Sequence, residues 1–393
     1  VEQTEKMIVK WRWVVLVLLA FVIIVFGFSL LDTDVGGDVN ANAVLIQTSL
    51  DSTGFMRAIG TREWQFPRDF GAHPEFQTEW WYYTGNVADD SGRRFGFQFT
   101  VFRRAITPEA DATTSEWRSN QLYMAHFTVT DVAGNQFFHD ERFSRGGAGL
   151  AGATVDPVYR VWLEDWEVLA QDDDARVTTI HATTDDVAVD LMIEQTKPPA
   201  LHGENGLSAK SAEPGSASYY YSLTRLLTTG TITIEGQTYT VTGTSWKDHE
   251  FGTQALGANA LGWDWFGLQL DDNRELMVGQ IRLTDGSSQP YFGELLVNSD
   301  GTTVALTAPD FSVEATGSWT SPHTGATYPS GWNIHIDLGG EMLNLTLTPQ
   351  IEDQELHGGG IAYWEGTVRI SGDVTGYGYA ELTGYVDALT GRF

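Results

Sequence analysis

The chain has 393 residues, enough for two ordinary domains, and carries 23 Lys and Arg against 52 Asp and Glu, a formal charge of −29. A surface this acidic repels phosphate backbones and offers no basic patch to anionic lipid headgroups, which argues against nucleic-acid partners and leaves solubility as the plain meaning of the charge. There is no cysteine, which excludes disulfides, thiolate catalysis and Cys-ligated zinc, while 12% aromatic residues and 42 Gly favour strands and turns.

In chain order, residues 1–31 come first. Residues 13–31 run without a charge behind Lys6, Lys10 and Arg12, and are expected to form one hydrophobic helix. Its length suits a membrane anchor, while Ala41-Asn42-Ala43 suits signal-peptide cleavage. Either way the protein is expected to act outside the cytoplasm, in the periplasm or held on the cytoplasmic membrane. Residues 32–62 are polar and aperiodic and read as a linker.

Strand patterns follow. Residues 93–103 alternate. Runs 122–131 and 136–143 flank the turn Ala133-Gly134-Asn135, and runs 231–235 and 238–243 flank Gly236-Gln237. Further hairpins are expected around Asp271-Asp272-Asn273 and Ser299-Asp300-Gly301, and the chain closes with runs 362–370 and 377–386. Short-turned strands without amphipathic helices predict antiparallel barrels or sandwiches. A shift of 182 residues places Trp81 on Trp263, Tyr83 on Trp265, Gly85 on Gly267 and Gln98 on Gln280. The match predicts two related barrels, residues 63–250 and 251–393.

Four segments are denser in polar and aromatic residues than plain core. In 73–86, Glu79, Trp81 and Tyr83 share one strand face, and Trp80 and Tyr82 the other. The bland alternative pairs a buried Glu79 with an arginine such as Arg103. His126, within Met124-Ala125-His126-Phe127, is either a hydrogen-bonded core histidine or a site residue. The third segment joins the loop around His202 to Tyr219-Tyr220-Tyr221. The fourth reads Ser245-Trp246-Lys247-Asp248-His249-Glu250, then Gly262-Trp263-Asp264-Trp265. Extended, it projects Trp246, Asp248 and Glu250 to one side. A carboxyl buried against indoles holds its proton to higher pH, and can serve as a general acid where Trp faces stabilise a cation. The alternative is a polar network that only fixes the domain junction. No G-x-S-x-G elbow, phosphate-binding loop or metal-ligand spacing among the nine His is present, so no cofactor and no metal is expected. Carboxylates among aromatics also leave a glycan ligand open.

The segments Phe66-Pro67-Arg68-Asp69-Phe70-Gly71-Ala72-His73-Pro74, Glu79-Trp80-Trp81-Tyr82, Leu201-His202-Gly203-Glu204-Asn205-Gly206, Ser245–Glu250, Gly262–Trp265, Tyr363-Trp364-Glu365-Gly366 and Glu381-Leu382-Thr383-Gly384-Tyr385 resemble the CrtC/AttH family over about residues 64–393. The resemblance implies an all-β fold of two lipocalin-like (calycin-type) antiparallel barrels after the N-terminal helix. It also implies a function. One branch comprises carotenoid 1,2-hydratases, a fungal branch promotes polyene cyclisation, and the AttH branch, to which these motifs are closer, is described as secreted hydrolases or accessory components of MacB-type ABC exporters. The hydratase acid is an aspartate in the segment matching 246–252, comparable to Asp248. An elongated apolar ligand, isoprenoid or lipid, is therefore expected. Asp248 would be its acid, with His249 and Glu250 also catalytic. Glu79, Trp81, Tyr82, His126, His202, Tyr221, Trp246, Trp263, Asp264 and Trp265 would bind it. A non-catalytic carrier serving ABC exporter subunits is the rival expectation.

Overall fold

The computed structural model describes residues 52–389 except 109–114, 116, 254–255, 258 and 290–291. The expected N-terminal helix and its signal or anchor role lie outside the described residues. Within them, helical structure is confined to 3₁₀ turns at Arg68–Phe70, Gly147–Gly149 and Ala308–Asp310. None of the described helices is long and apolar enough to cross a membrane.

The strands form two large antiparallel sheets. In the first, the opening strand Thr78–Asp89 pairs on one side with Arg94–Ala105, then Gln121–Asp131 and Gln136–Arg145. On its other side it pairs with the strand Gln237–Gly252, followed by Ala217–Ile234, Val187–Gln195, Val177–Thr183, Trp166–Ala170, Arg160–Leu163 and Ala151–Thr154. The sheet rolls into a nearly closed barrel. Across its seam, Trp166 packs edge-on to Phe99 and Phe127 and lies 4.1 Å beneath the Arg142 guanidinium. The second sheet repeats the order as a half-barrel. Its opening strand Ala260–Leu270 lies between Glu275–Leu283 and Gly376–Leu382, and the latter pairs with Tyr363–Gly372. The sheets change over between Gly252 and Ala260. Residues 52–62, inside the segment expected to be a linker, lie against the barrel. Phe55 and Ala58 are buried, and Arg62 pairs with Asp69 at 2.6 Å.

Two details differ from the sequence expectations. The turn expected at Gly236-Gln237 falls one residue earlier. Ile234 pairs with Gln237, and Glu235 and Gly236 take positive φ of 48° and 83°, the conformation a two-residue hairpin loop with the right twist demands. The 182-residue match also aligns hairpins without aligning their faces. In the first sheet the odd-numbered Trp81, Tyr83 and Val87 point into the barrel core, whereas in the second the even-numbered Phe266, Leu268 and Leu270 do. Side chains alternate with period two, so an even shift carries odd positions onto odd ones and sets inward residues of the first sheet against outward residues of the second. What the halves share is strand order.

The halves pack face to face, and this explains the burial pattern. Val187–Gln195 on the outer wall alternates between buried and exposed. The stretch Ser245–Gly252 is buried at every position, because one face lines the barrel and the other meets the second sheet. Glu275 fastens the junction. It receives Lys197 Nζ at 2.8 Å and Arg225 Nε at 2.5 Å, both from the first sheet.

Candidate functional site

The register across three strands builds the site in rows. Tyr82, Asp248 and Ser222 lie side by side, as do Trp80, Glu250 and Tyr220, all facing the second sheet. The intervening row, Trp81, His249 and Tyr221, points the opposite way, into the barrel. From the second sheet, Trp263, Trp265, Tyr363 and Glu381 face the first set and help enclose a cavity of about 60 Å³ together with Trp80, Tyr82, Gln98, Phe102, Lys210, Tyr220, Asp248, Glu250, Leu256 and Phe292. One water needs about 10–15 Å³ on this scale, so there is room for several waters or the end of a larger molecule. Trp80, Leu256 and Trp263 are only half-buried and stand at its rim. Gly267 lets the Trp265 indole fold back over the strand, since a Cβ there would lie 2.3 Å from the ring.

Asp248 is the most heavily bonded group of the cavity. Tyr220 Oη donates to Oδ2 at 2.8 Å and Trp246 Nε1 to Oδ1 at 2.7 Å, and Ser222 Oγ also contacts Oδ1. Burial pushes its carboxyl up to about 7, the hydrogen bonds donated by Trp246 and Tyr220 pull the other way, and the nearby Glu250 charge adds to the rise. Glu250 is held by Lys210 Nζ at 2.9 Å and by Ser218. Glu381 receives Trp263 Nε1 at 3.0 Å and is pushed up to about 7, by burial first and then by Asp248 and Glu250. Behind Tyr82, Glu365 sits directly across the ladder from Glu381. Like charges opposite each other are unfavourable, and burial together with Glu381 holds the Glu365 carboxyl well above its ordinary range. Its Oε1 accepts from Tyr82 Oη at 2.5 Å, and its Oε2 has no partner among the described residues. Four carboxyls thus gather around one cavity in which Lys210 is the one ammonium or guanidinium group among the described lining residues. The raised carboxyls Asp248, Glu365 and Glu381 hold protons to higher pH than free carboxyls and can deliver them.

The other face holds a different network. Glu79 Oε1 accepts from His73 Nδ1 and His249 Nε2, each at 2.8 Å, and Oε2 from Arg103 Nε at 2.8 Å. Burial alone would raise its carboxyl, but Arg103 and the two imidazoles hold it well below the usual range. His73 bridges to Asp69 at 3.2 Å and is raised by both carboxylates against the pull of burial, whereas burial lowers His249 to about 4. His73, Glu79 and His249 bring one ligand atom each within 4.8 Å, the spacing of a metal site. Every one of those atoms is already hydrogen-bonded, and Arg103, Arg62 and His73 neutralise Glu79 and Asp69. The donor set fits a closed structural network better than an ion.

The structure therefore splits the expected site. Asp248, Glu250, Tyr82, Trp263 and Trp265 line the cavity, and Trp246 packs edge-on to Trp265 and bonds Asp248 from outside it. His249, Glu79, Trp81 and Tyr221 lie on the opposite face, because neighbours along a strand alternate sides, and the Glu79–Arg103 pair is the bland alternative realised. Asp264 also faces away, bonded to Arg282 Nε at 3.0 Å and Tyr385 Oη at 3.0 Å, and His202 lies behind Tyr220 with its ring 3.7 Å away. His126 stands one residue back, its Nδ1 2.6 Å from the Tyr363 hydroxyl. Sequence reasoning missed Tyr220, Lys210, Glu365 and Glu381. The signal for the glutamates was a lone carboxyl in each of two otherwise uncharged stretches, Tyr363–Val368 and Gly376–Leu382.

A nearly closed barrel, a half-barrel of the same strand order and a cavity of carboxyls and indoles between them define a lipocalin-like protein. The chain belongs to the AttH-like family, which matches residues 57–385. It is similar to the solved structure of a putative AttH from Nitrosomonas europaea, with 33% identity, a TM-score of 0.74, and coverage of 84% of this chain and 100% of that one. Kievitone hydratase from Nectria haematococca shares the fold at 16% identity and a TM-score of 0.62, over 85% of this chain and 98% of that one. Comparison with curated proteins finds no match.

Proposed function

We propose that this protein binds an elongated apolar molecule whose end enters the cavity between the sheets, and that Asp248 protonates a carbon–carbon double bond there. The proton adds to one carbon, leaving a cation on the other beside the indoles of Trp80, Trp263 and Trp265 that line the cavity. Water then adds to the cation, and its surplus proton returns to the Asp248 carboxylate, with Glu381 the alternative acceptor. The sum is hydration of the double bond. The observation that carries this reading is a carboxyl pushed up to about 7, buried at a cavity beside three indoles. That the fold also serves a kievitone hydratase is in keeping with it.

Mass spectrometry of organic extracts of the purified protein is expected to find an isoprenoid- or lipid-like molecule. With such a ligand in hand, Asp248→Asn should lower turnover by about 10²–10⁴-fold, the range of general acid catalysis, and leave its affinity within about threefold. Turnover that survives Asp248→Asn defeats the acid assignment. Binding with no turnover in either protein leaves a carrier, and a bound sugar removes the apolar ligand altogether.

A further inference from the structure

We propose that His202, acting through the Ser222 hydroxyl, is the positioning residue that keeps Asp248 in its acid form, an inference that rests on Asp248 as the proton donor. His202 is buried, its ring stacked on Tyr220 at 3.7 Å. Its Nδ1 lies 2.8 Å from the carbonyl oxygen of Gly293 and its Nε2 2.6 Å from Ser222 Oγ. Ser222 Oγ is in turn bonded to Asp248 Oδ1.

Three hydrogen bonds in series need three hydrogens. The Gly293 carbonyl only accepts, so Nδ1 carries one. A neutral imidazole then offers Nε2 as a lone pair, and the Ser222 hydrogen is taken up in reaching it. The contact between Ser222 and Asp248 is left without a hydrogen unless the carboxyl supplies it. The other arrangement with the same proton count is an imidazolium beside a carboxylate. Against it, no carboxylate bonds to the ring, the Lys210 charge disfavours a second cation nearby, and burial takes the imidazole down to about 3. The proton belongs on Asp248, and Ser222 accepts from it.

Ionising Asp248 would turn the hydroxyl round to the carboxylate and strip Nε2 of its hydrogen in a dry site, which is unfavourable. The pair therefore biases the carboxyl toward the acid. When Oδ1–H breaks and the ligand's C–H forms, the hydroxyl swings to the new carboxylate. The proton coming back from the added water resets it.

The sign of one shift tests this. Infrared difference spectra of the full chain across a pH titration follow the protonated Asp248 carboxyl, identified as the band missing from Asp248→Asn. Ser222→Ala removes the acceptor of the acid proton and should move the loss of that band at least about one pH unit lower. Tyr220→Phe removes a donor to the carboxylate, keeps the ring under His202, and should move it higher. Nitrogen NMR of labelled histidine should show His202 neutral with its hydrogen on Nδ1 between about pH 5 and 8. An upward or absent shift in Ser222→Ala, or a doubly protonated His202 at neutral pH, overturns the proposal. These measurements read the proton and not turnover, so a protein that hydrates nothing would sink the proposed function without touching this result. Where turnover is found, the basic limb of kcat/KM should move with the band.

Discussion

Asp248 and His249 are chain neighbours in opposite electrostatic surroundings. On the His249 side, Glu79 is met by Arg103 and two imidazoles, while the buried Lys247 amine lies over the rings of Phe70 and Tyr159 and burial holds it well below its usual range. On the Asp248 side, Lys210 pairs with Glu250, and Asp248, Glu365 and Glu381 are raised by burial and by neighbouring carboxyls. The first network is what a barrel needs to tolerate charges inside it: full pairing, full hydrogen bonding and no room. The second raises Asp248, Glu365 and Glu381 by burying them near other carboxyls, and leaves a cavity beside them. The difference shows how a strand between two packed sheets can stabilise with one face and hold reactive protons on the other.

The largest effect expected from breaking this contrast is on stability. Glu79→Gln leaves the Arg103 guanidinium buried without its carboxylate, and should cost about 3–5 kcal/mol in denaturant unfolding. Asp248→Asn removes a carboxyl that is already largely neutral and should cost within about 1 kcal/mol at pH 6. Equal losses in the two variants would erase the distinction between the faces.

Much of this division was legible. Alternation alone put Trp246, Asp248 and Glu250 on one side and paired Glu79 with an arginine such as Arg103. Gathering His249, Glu79 and Tyr82 into one site was an error of the same kind in reverse, since it treated neighbours in sequence as neighbours in a pocket. Glu365 and Glu381 stood out in the sequence only as lone carboxyls in uncharged stretches. Their proton-holding character comes first from burial and then from carboxyls that the fold brings near, which no local pattern displays. The burial of Phe55 and Ala58 was equally hidden, because a short stretch packed on a barrel has no period to read.

The two faces should also separate by pH. Burial raises the carboxyls of Asp248 and Glu381 to about 7 from their ordinary values of 3.8 and 4.5. Raised carboxyls contribute stability that is fully present below the unfolded pKa and is lost as pH rises through the folded one. Glu79 is depressed, so its contribution is present above the unfolded pKa and lost as pH falls through its folded value, below 4.5. Unfolding free energies of Asp248→Asn/Glu381→Gln, subtracted from those of the unsubstituted protein, should fall from about pH 4 to about pH 7 and then level off, a change on the order of a few kcal/mol. The limb below pH 4 should not move. A difference curve that rises with pH would reverse the assignment of the two networks.

The smallest expected effect uses two residues that the sequence repeat had equated. Trp81 is fully buried on the barrel side and donates from Nε1 to the Phe70 carbonyl at 2.9 Å. Trp263 stands at the cavity rim and donates to Glu381 at 3.0 Å. Replacing Trp81 by Phe orphans a carbonyl and opens space in the core, losses that do not depend on pH. Replacing Trp263 by Phe removes a donor that matters most when Glu381 is ionised. Thermal unfolding of Trp263→Phe should therefore match the unsubstituted protein within about 0.5 kcal/mol at pH 5 and fall behind it by about 1–2 kcal/mol at pH 9, where the carboxylate has lost its hydrogen bond. Trp81→Phe should show the same deficit at both values. If Trp263→Phe behaves like Trp81→Phe, the rim indole is a packing element, and the proton chemistry of the cavity does not extend to Glu381.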